Sequence, residues 1–143
     1  MDVYYFTYTG TSKQIAEEVV KKVGGRLFSI NSIELPYLCW LSLSFFPGLK
    51  VKSKFNPPTS KKLTVCFPKW TTNCPPVTYF FSWLKKNNYS FEEVNLIISY
   101  KGWKKELYLK HYSSILKKIA KRINFYFLIQ KNWKEEVKNL VLG

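Results

Sequence analysis

Short apolar runs and amphipathic segments alternate along most of this chain. The runs at 3–6, 26–30, 63–67, 94–99 and 123–129 are rich in β-branched and aromatic residues, and each predicts a strand. Between them, apolar residues recur at helical spacing, as at Ile15, Val19 and Val23, and predict helices. Further helices are predicted from Pro75, over 104–121, and from Trp133 onward. This alternation predicts an α/β protein whose parallel sheet carries helices on both faces.

The bulk properties fit one domain over residues 1–143. A hydrophobic content of 46% is enough to build a core without disulfides or metals. The three cysteines form no C-x-x-C pair, so we expect free thiols. No apolar run approaches the roughly 20 residues that a transmembrane helix needs. The chain enters its first strand without a basic or apolar leader, and we therefore expect a cytoplasmic protein.

Five strands of this kind fit the order 2-1-3-4-5, in which ligands bind beyond the carboxyl ends of strands one, three and four. The loop after the first strand carries a glycine among hydroxyl side chains: Thr7, Tyr8, Thr9, Gly10, Thr11 and Ser12. Gly10 lets the backbone approach a ligand, Ser12 is a good helix N-cap, and the amides of a helix start bind phosphate. An ordinary hydroxyl-capped helix is the alternative.

The same loop, followed by Ile15 and Ala16, resembles the flavodoxin phosphate loop, usually written S/T-x-T-G-N-T-x-x-x-A. The chain departs from it at Thr11, where asparagine is common, and at Ser12, where threonine is. The resemblance implies a flavodoxin-like three-layer α/β/α fold, with a five-stranded parallel sheet of order 2-1-3-4-5, and it implies FMN as the cofactor. Neither the dinucleotide motif G-x-G-x-x-G nor the triphosphate motif G-x-x-x-x-G-K-[ST] occurs, which favours a mononucleotide.

Two later loops extend the resemblance. The loop after the third predicted strand contains Pro68, Lys69, Trp70 and Thr71, and its tryptophan is the predicted stacking partner of the flavin ring. The loop after the fourth contains Ser99, Tyr100, Lys101, Gly102 and Trp103, of which Tyr100 or Trp103 would cover the other side of the ring. For each of these aromatics, simple coverage of the sheet edge is the alternative. We expect no catalytic residues, because a flavin supplies its own redox chemistry.

Residues 31–60 do not follow the alternating pattern. They hold an apolar aromatic patch at 35–46, a Pro47-Gly48 turn and a basic stretch with two consecutive prolines. Two interpretations stay open: the patch folds over the flavin edge or forms a contact surface, or it is an irregular core helix.

The net charge of +14 is carried almost entirely by lysine. Lys69, Lys101, Lys104 and Lys105 fall in or beside the predicted flavin loops, where positive charge would favour the reduced ring, unless they are only a solvated coat. We predict an electron-transfer protein rather than an FMN-dependent NAD(P)H reductase, with an acidic redox partner such as a ferredoxin or a reductase. The alternative is a flavin-free basic protein that binds nucleic acid or acidic proteins, although nucleic-acid readers favour arginine.

Overall fold

The computed structural model describes residues 1–46, 48–70, 72–101 and 105–140. Five strands form one sheet: β1 (Asp2–Tyr5), β2 (Arg26–Ser29), β3 (Lys62–Pro68), β4 (Phe91–Tyr100) and β5 (Ala120–Ile129). Their order is β2-β1-β3-β4-β5, and every pairing is parallel. The predicted sheet is confirmed, including the reversal of strand order between β1 and β3 that opens a crevice at the carboxyl edge.

Helices cover both faces of the sheet and complete the predicted three layers. They are α1 (Thr11–Val23), α2 (Tyr37–Leu43), α3 (Pro75–Lys86), α4 (Glu106–Leu116) and α5 (Trp133–Lys138). On one face, α1 and α5 bury a cluster that includes Ile15, Val19 and Val137. On the other, α3 and α4 bury a larger cluster in which rings from the helices interleave with rings from the strands. Within the described ranges, no helix is long and apolar enough to cross a membrane.

The helix predicted over 104–121 is shorter in the structure, spanning Glu106–Leu116. The Ile119 N–H donates to the Leu116 carbonyl at 2.9 Å and closes a turn, and the Phe91 N–H then donates to the Ile119 carbonyl at 2.7 Å. Ala120 therefore starts β5, three residues earlier than predicted, in register with Phe91. Apolar residues at helical spacing continue across this turn, so periodicity alone could not locate it.

Residues 31–60 contain α2 and a long extended segment that is fastened to the start of α3. The buried Asn73 amide donates to the carbonyls of Phe46 (2.9 Å) and Leu49 (2.8 Å). The Val51 N–H donates to the Pro75 carbonyl at 3.3 Å. These contacts are non-local, which is why the segment had no readable pattern. It is ordered by hydrogen bonds to another part of the chain rather than by its own periodicity.

Both arginines bind buried carboxylates. Arg26 contacts Asp2 at 3.0 Å, and Arg122 contacts Glu93 at 2.8 Å. Burial by itself raises the pKa of Asp2, but amide donors at Thr59 and Ser60, together with the guanidinium, outweigh it and lower the pKa below its usual value. The arginines thus have structural partners, and lysine supplies the remaining positive charge of the surface.

Candidate functional site

The loops that follow β1, β3 and β4 meet around one cavity at the carboxyl edge of the sheet. The cavity has a volume of about 330 Å³, within the usual range for ligand pockets. Eleven of the residues predicted from the sequence line it: Thr7, Tyr8, Thr9, Thr11, Ser12, Pro68, Lys69, Trp70, Ser99, Tyr100 and Lys101. Residues far apart in the chain are brought together here because parallel strands end at the same edge.

The first loop turns sharply into α1. The Gly10 N–H donates to Thr7 Oγ1 at 2.8 Å, and Gly10 has a φ of 96°, a left-handed conformation that favours glycine. The first intrahelical bond runs from the Gln14 N–H to the Gly10 carbonyl at 3.1 Å. The amides of the first helical residues, Thr11 and Ser12 among them, therefore have no acceptor within the helix. They are donors for an anion, and the positive end of the helix dipole adds to their effect.

The prediction that Ser12 caps α1 is wrong, because Gly10 occupies the N-cap and Ser12 lies buried in the first turn. The helix begins earlier than its apolar periodicity indicated. Among the residues that the structure describes, no side chain caps α1 by a hydrogen bond. The hydroxyls of Thr9 and Thr11 lie 3.4 Å apart. A helix start without a side-chain cap leaves its amides available to a ligand.

Trp70 is held between other aromatic rings. It stacks on the buried Trp40 with a centroid distance of 5.5 Å and an interplanar angle of 24°, and it meets Phe6 edge-on at 5.7 Å. The backbone N–H of Trp70 donates to the hydroxyl of the buried Tyr108 at 3.1 Å. One face of the indole is thus covered by Trp40 of α2, and another part of Trp70 lines the cavity.

The second and third loops are joined to each other and to β5. The Lys69 N–H donates to the Ser99 carbonyl, and the Gln130 N–H donates to the Tyr100 carbonyl, each at 2.8 Å. Lys69 Nζ lies 5.4 Å from the centre of the Tyr108 ring. These bonds fix the backbone of both loops, so the lysines at 69 and 101 line a wall of defined shape.

The cavity is also lined by two residues that were not predicted from the sequence: Tyr37 at the start of α2 and Gln130 after β5. Tyr37 lies in the apolar patch at 35–46, and its ring meets that of Tyr8 at 5.7 Å. Gln130 follows β5. The crevice was expected beyond the ends of strands one, three and four only, so no lining residue was predicted after β5. Three predicted site residues lie outside the described residues: Thr71, Gly102 and Trp103.

A second cavity of about 560 Å³ adjoins the first on the side of β2. Thr7 and Tyr8 line both cavities, and Trp40 lines the second. The remaining wall consists of residues 30–35 and Phe6. Thr7 and Tyr8 are therefore shared by the walls of the two cavities.

Behind the site, Cys74, Tyr108 and Tyr112 are buried, and His111 is half-buried. Burial raises the pKa of the Cys74 thiol and of the Tyr108 and Tyr112 hydroxyls, and it lowers the pKa of His111. Thr78 Oγ1 lies 3.3 Å from His111 Nε2. Within the described ranges, no group of three or more His, Cys, Asp or Glu side chains is arranged to hold a metal ion. These side chains support the loops structurally.

Solved structures share this architecture. The crystal structure of a flavoprotein from Lactobacillus acidophilus in complex with FMN matches with a TM-score of 0.70 and 11% identity, covering 94% of this chain and 95% of that one. The solution structure of two-electron reduced Megasphaera elsdenii flavodoxin matches with a TM-score of 0.58 and 15% identity, covering 96% and 93%. The strand order and these matches define a flavodoxin-like fold.

No protein-family model matches the chain. A protein of Archaeoglobus fulgidus, described as uncharacterized, is 41% identical over 131 residues, which cover 92% of this chain and 86% of its own. The chain belongs to the same family as this archaeal protein.

Proposed function

We propose that this protein binds FMN in the cavity at the carboxyl edge and acts as a cytoplasmic electron-transfer protein. The observation that carries the proposal is the meeting of three predicted loops around one cavity, which combines free helix amides with aromatic rings. These are the two kinds of group that a phosphorylated flavin requires.

The phosphate would bind at the start of α1. The amides of Thr11 and Ser12 have no intrahelical acceptor, and hydroxyls at Thr9 and Thr11 lie beside them. Thr7 Oγ1 accepts the Gly10 N–H, so its role is to hold the loop, while its own proton stays available for donation. This donor set fits a phosphate, and it offers no carboxylate that would repel one.

The flavin ring would lie between the second and third loops. Trp70 would present the part of its ring that lines the cavity, and Tyr100, whose ring packs edge-on against Phe127 at 5.4 Å, would form the opposite wall. Bound FMN would supply the redox chemistry by accepting and releasing electrons. The protein residues orient the ring, exclude water from part of it and set the charge around it.

Lys69 and Lys101 line the cavity, and Lys105 lies nearby with its Nζ 5.6 Å from the Phe127 ring centre. Lys104, predicted to belong to this group, lies outside the described residues. Positive charge close to the ring stabilises its reduced, negatively charged form. A titration of the FMN-loaded protein is therefore expected to give a less negative potential than that of a flavodoxin with acidic loops, and Lys101→Gln is expected to lower it.

The visible spectrum of the purified protein, before and after addition of FMN, tests the proposal. Retained flavin absorbance and quenching of FMN fluorescence on binding would support it, and a colourless protein that does not quench FMN would contradict it. Oxidation of NAD(P)H by the loaded protein separates a reductase from the carrier that we propose. Binding of nucleic acid by a colourless protein would instead support the flavin-free alternative, which the net charge of +14 favours.

A further inference from the structure

Three large apolar side chains beside the site are exposed to solvent. Leu38 of α2 is 75% exposed, and Phe45 and Phe46, which follow α2, are each 61% exposed. We call these three residues the Phe45 patch. Single exposed apolar residues are common, but three such residues within one short segment beside a ligand site are typical of an interaction surface.

The Phe45 patch is held in place by the loop that carries Trp70. The Thr72 N–H and Oγ1 both donate to the Ser44 carbonyl, at 3.2 and 2.8 Å. Asn73 holds the Phe46 carbonyl on the other side. These hydrogen bonds fix the backbone around Phe45 and Phe46, whose side chains are exposed. The same bonds tie this backbone to the loop that carries Trp70. A protein that docks on the patch would lie against the site loops.

Charge is distributed unevenly around the patch. From Leu35 to Phe91 the sequence contains lysines but neither Asp nor Glu. Lys50 and Lys52, both exposed, follow the patch along the start of α3. Contact with the Lys118 ammonium lowers the pKa of Lys85, and Lys50 adds to the effect, so positive charges of three segments crowd together on this side. The opposite face carries the glutamates of α1 and α5.

We propose that the Phe45 patch and the adjacent Lys50 and Lys52 form the docking surface for an acidic redox protein, which exchanges electrons with the ligand in the cavity. This inference rests on the proposed function. The apolar centre would supply contact energy, and the lysines would steer an acidic partner. A second copy of this chain is disfavoured, because it would carry the same charge of +14.

A small acidic ferredoxin is the probe. Calorimetry would measure its binding, in the oxidised form, to the protein with and without FMN. Stopped-flow absorbance would measure reduction of bound FMN by reduced ferredoxin, in which two ferredoxins each lose one electron and the flavin gains two electrons with protons from water. If the protein does not retain FMN, the proposed function is contradicted and the kinetic measurement cannot be made. Calorimetry without FMN would still test whether ferredoxin docks on the patch.

Matched variants locate the surface. Phe45→Ser with Phe46→Ser is expected to weaken ferredoxin binding by about tenfold or more, since both side chains are exposed and their loss leaves the core intact. Lys50→Gln with Lys52→Gln is expected to slow association by about three- to tenfold at low salt, and this difference should vanish at high salt. The control, Lys134→Gln with Lys138→Gln on α5, removes the same charge from the opposite face and is expected to have less than half of that effect.

Equal effects of the two lysine pairs would overturn the proposal, because they would show that only net charge matters. Unchanged binding by the serine variant, or no binding of ferredoxin at low salt, would overturn it as well. Sedimentation with phosphatidylglycerol vesicles tests the competing partner: binding to vesicles that depends on the phenylalanines, with no ferredoxin binding, would assign the patch to a lipid surface instead.

Discussion

Two glycines at opposite ends of α1 both have a positive φ, so alanine variants at these positions can separate an effect on stability from an effect on ligand binding. Gly10 at the start of α1 has a φ of 96°, and Gly24 at its end has a φ of 73°. A Cβ at either position would meet no heavy atom of the described part of the chain within 4 Å. Replacement by alanine therefore introduces strain without a clash. The expected loss is about 1–2 kcal/mol of unfolding free energy for each variant, or about 3–8 °C in melting temperature.

Only Gly10→Ala is expected to weaken FMN binding. Gly10 sets the direction of the first helix amides and donates to Thr7 Oγ1, whereas Gly24 lies at the other end of the helix. A tenfold loss of affinity corresponds to about 1.4 kcal/mol. At an FMN concentration 100 times the wild-type dissociation constant, binding stabilises the wild type and Gly24→Ala by about 2.7 kcal/mol, and it would stabilise Gly10→Ala by only about 1.4 kcal/mol.

Thermal unfolding with and without FMN measures both effects in one assay, and fluorescence titration gives the dissociation constants directly. Equal FMN-induced stabilisation of the two alanine variants would refute the assignment of the loop to phosphate binding. Absence of destabilisation in both would refute the strain argument, since it would mean that neither backbone position requires a glycine.

Three further predictions concern other parts of the molecule. The pKa of Asp2 is lowered in the folded state, so its stabilising effect is complete above the unfolded value of about 3.9 and is lost as the pH falls through the folded pKa. Asp2→Asn should therefore destabilise the protein at pH 7 and flatten the acid limb of its stability profile, as measured by denaturation at several pH values. Trp40→Phe keeps an aromatic ring in the core but removes part of the stack on Trp70, and it should weaken FMN binding by about two- to tenfold, measured by fluorescence quenching. Cys39 is exposed, while the other two cysteines are buried with raised thiol pKa values, so a thiol reagent should label one cysteine in the native protein and three after denaturation. Rapid native labelling of a second thiol would contradict the packing around β3 and α3.

Strands and helices with clear periodicity could be predicted from the sequence, and so could the candidate ligand loops. Ile15 and Val19 recur at helical spacing because they lie on the buried side of α1, and the apolar run of β3 is continuous because both faces of that strand are covered. Gly10 and its hydroxyl neighbours indicated a tight turn before a helix. The order of the sheet then placed that turn next to the loops after β3 and β4.

The features that the sequence did not predict depend on contacts between distant residues. Three such features are the stack of Trp40 on Trp70, the hydrogen bonds from Asn73 to the carbonyls of residues 46 and 49, and the position of Gln130 in the cavity wall. None of them leaves a local sequence pattern, because the partners lie in different segments. The boundary between α4 and β5 was also decided by pairing with Phe91 rather than by periodicity.

The sequence by itself determined the alternation of elements, the glycine turn before α1 and the large excess of lysine. These are local properties, set by side-chain spacing, backbone freedom and composition. Tertiary structure alone decided that one face of Trp70 is covered, that both arginines bind buried carboxylates, and that two phenylalanines are exposed beside the cavity. Burial and pairing are properties of two or more segments at once, and they exist only when the sheet has brought those segments together.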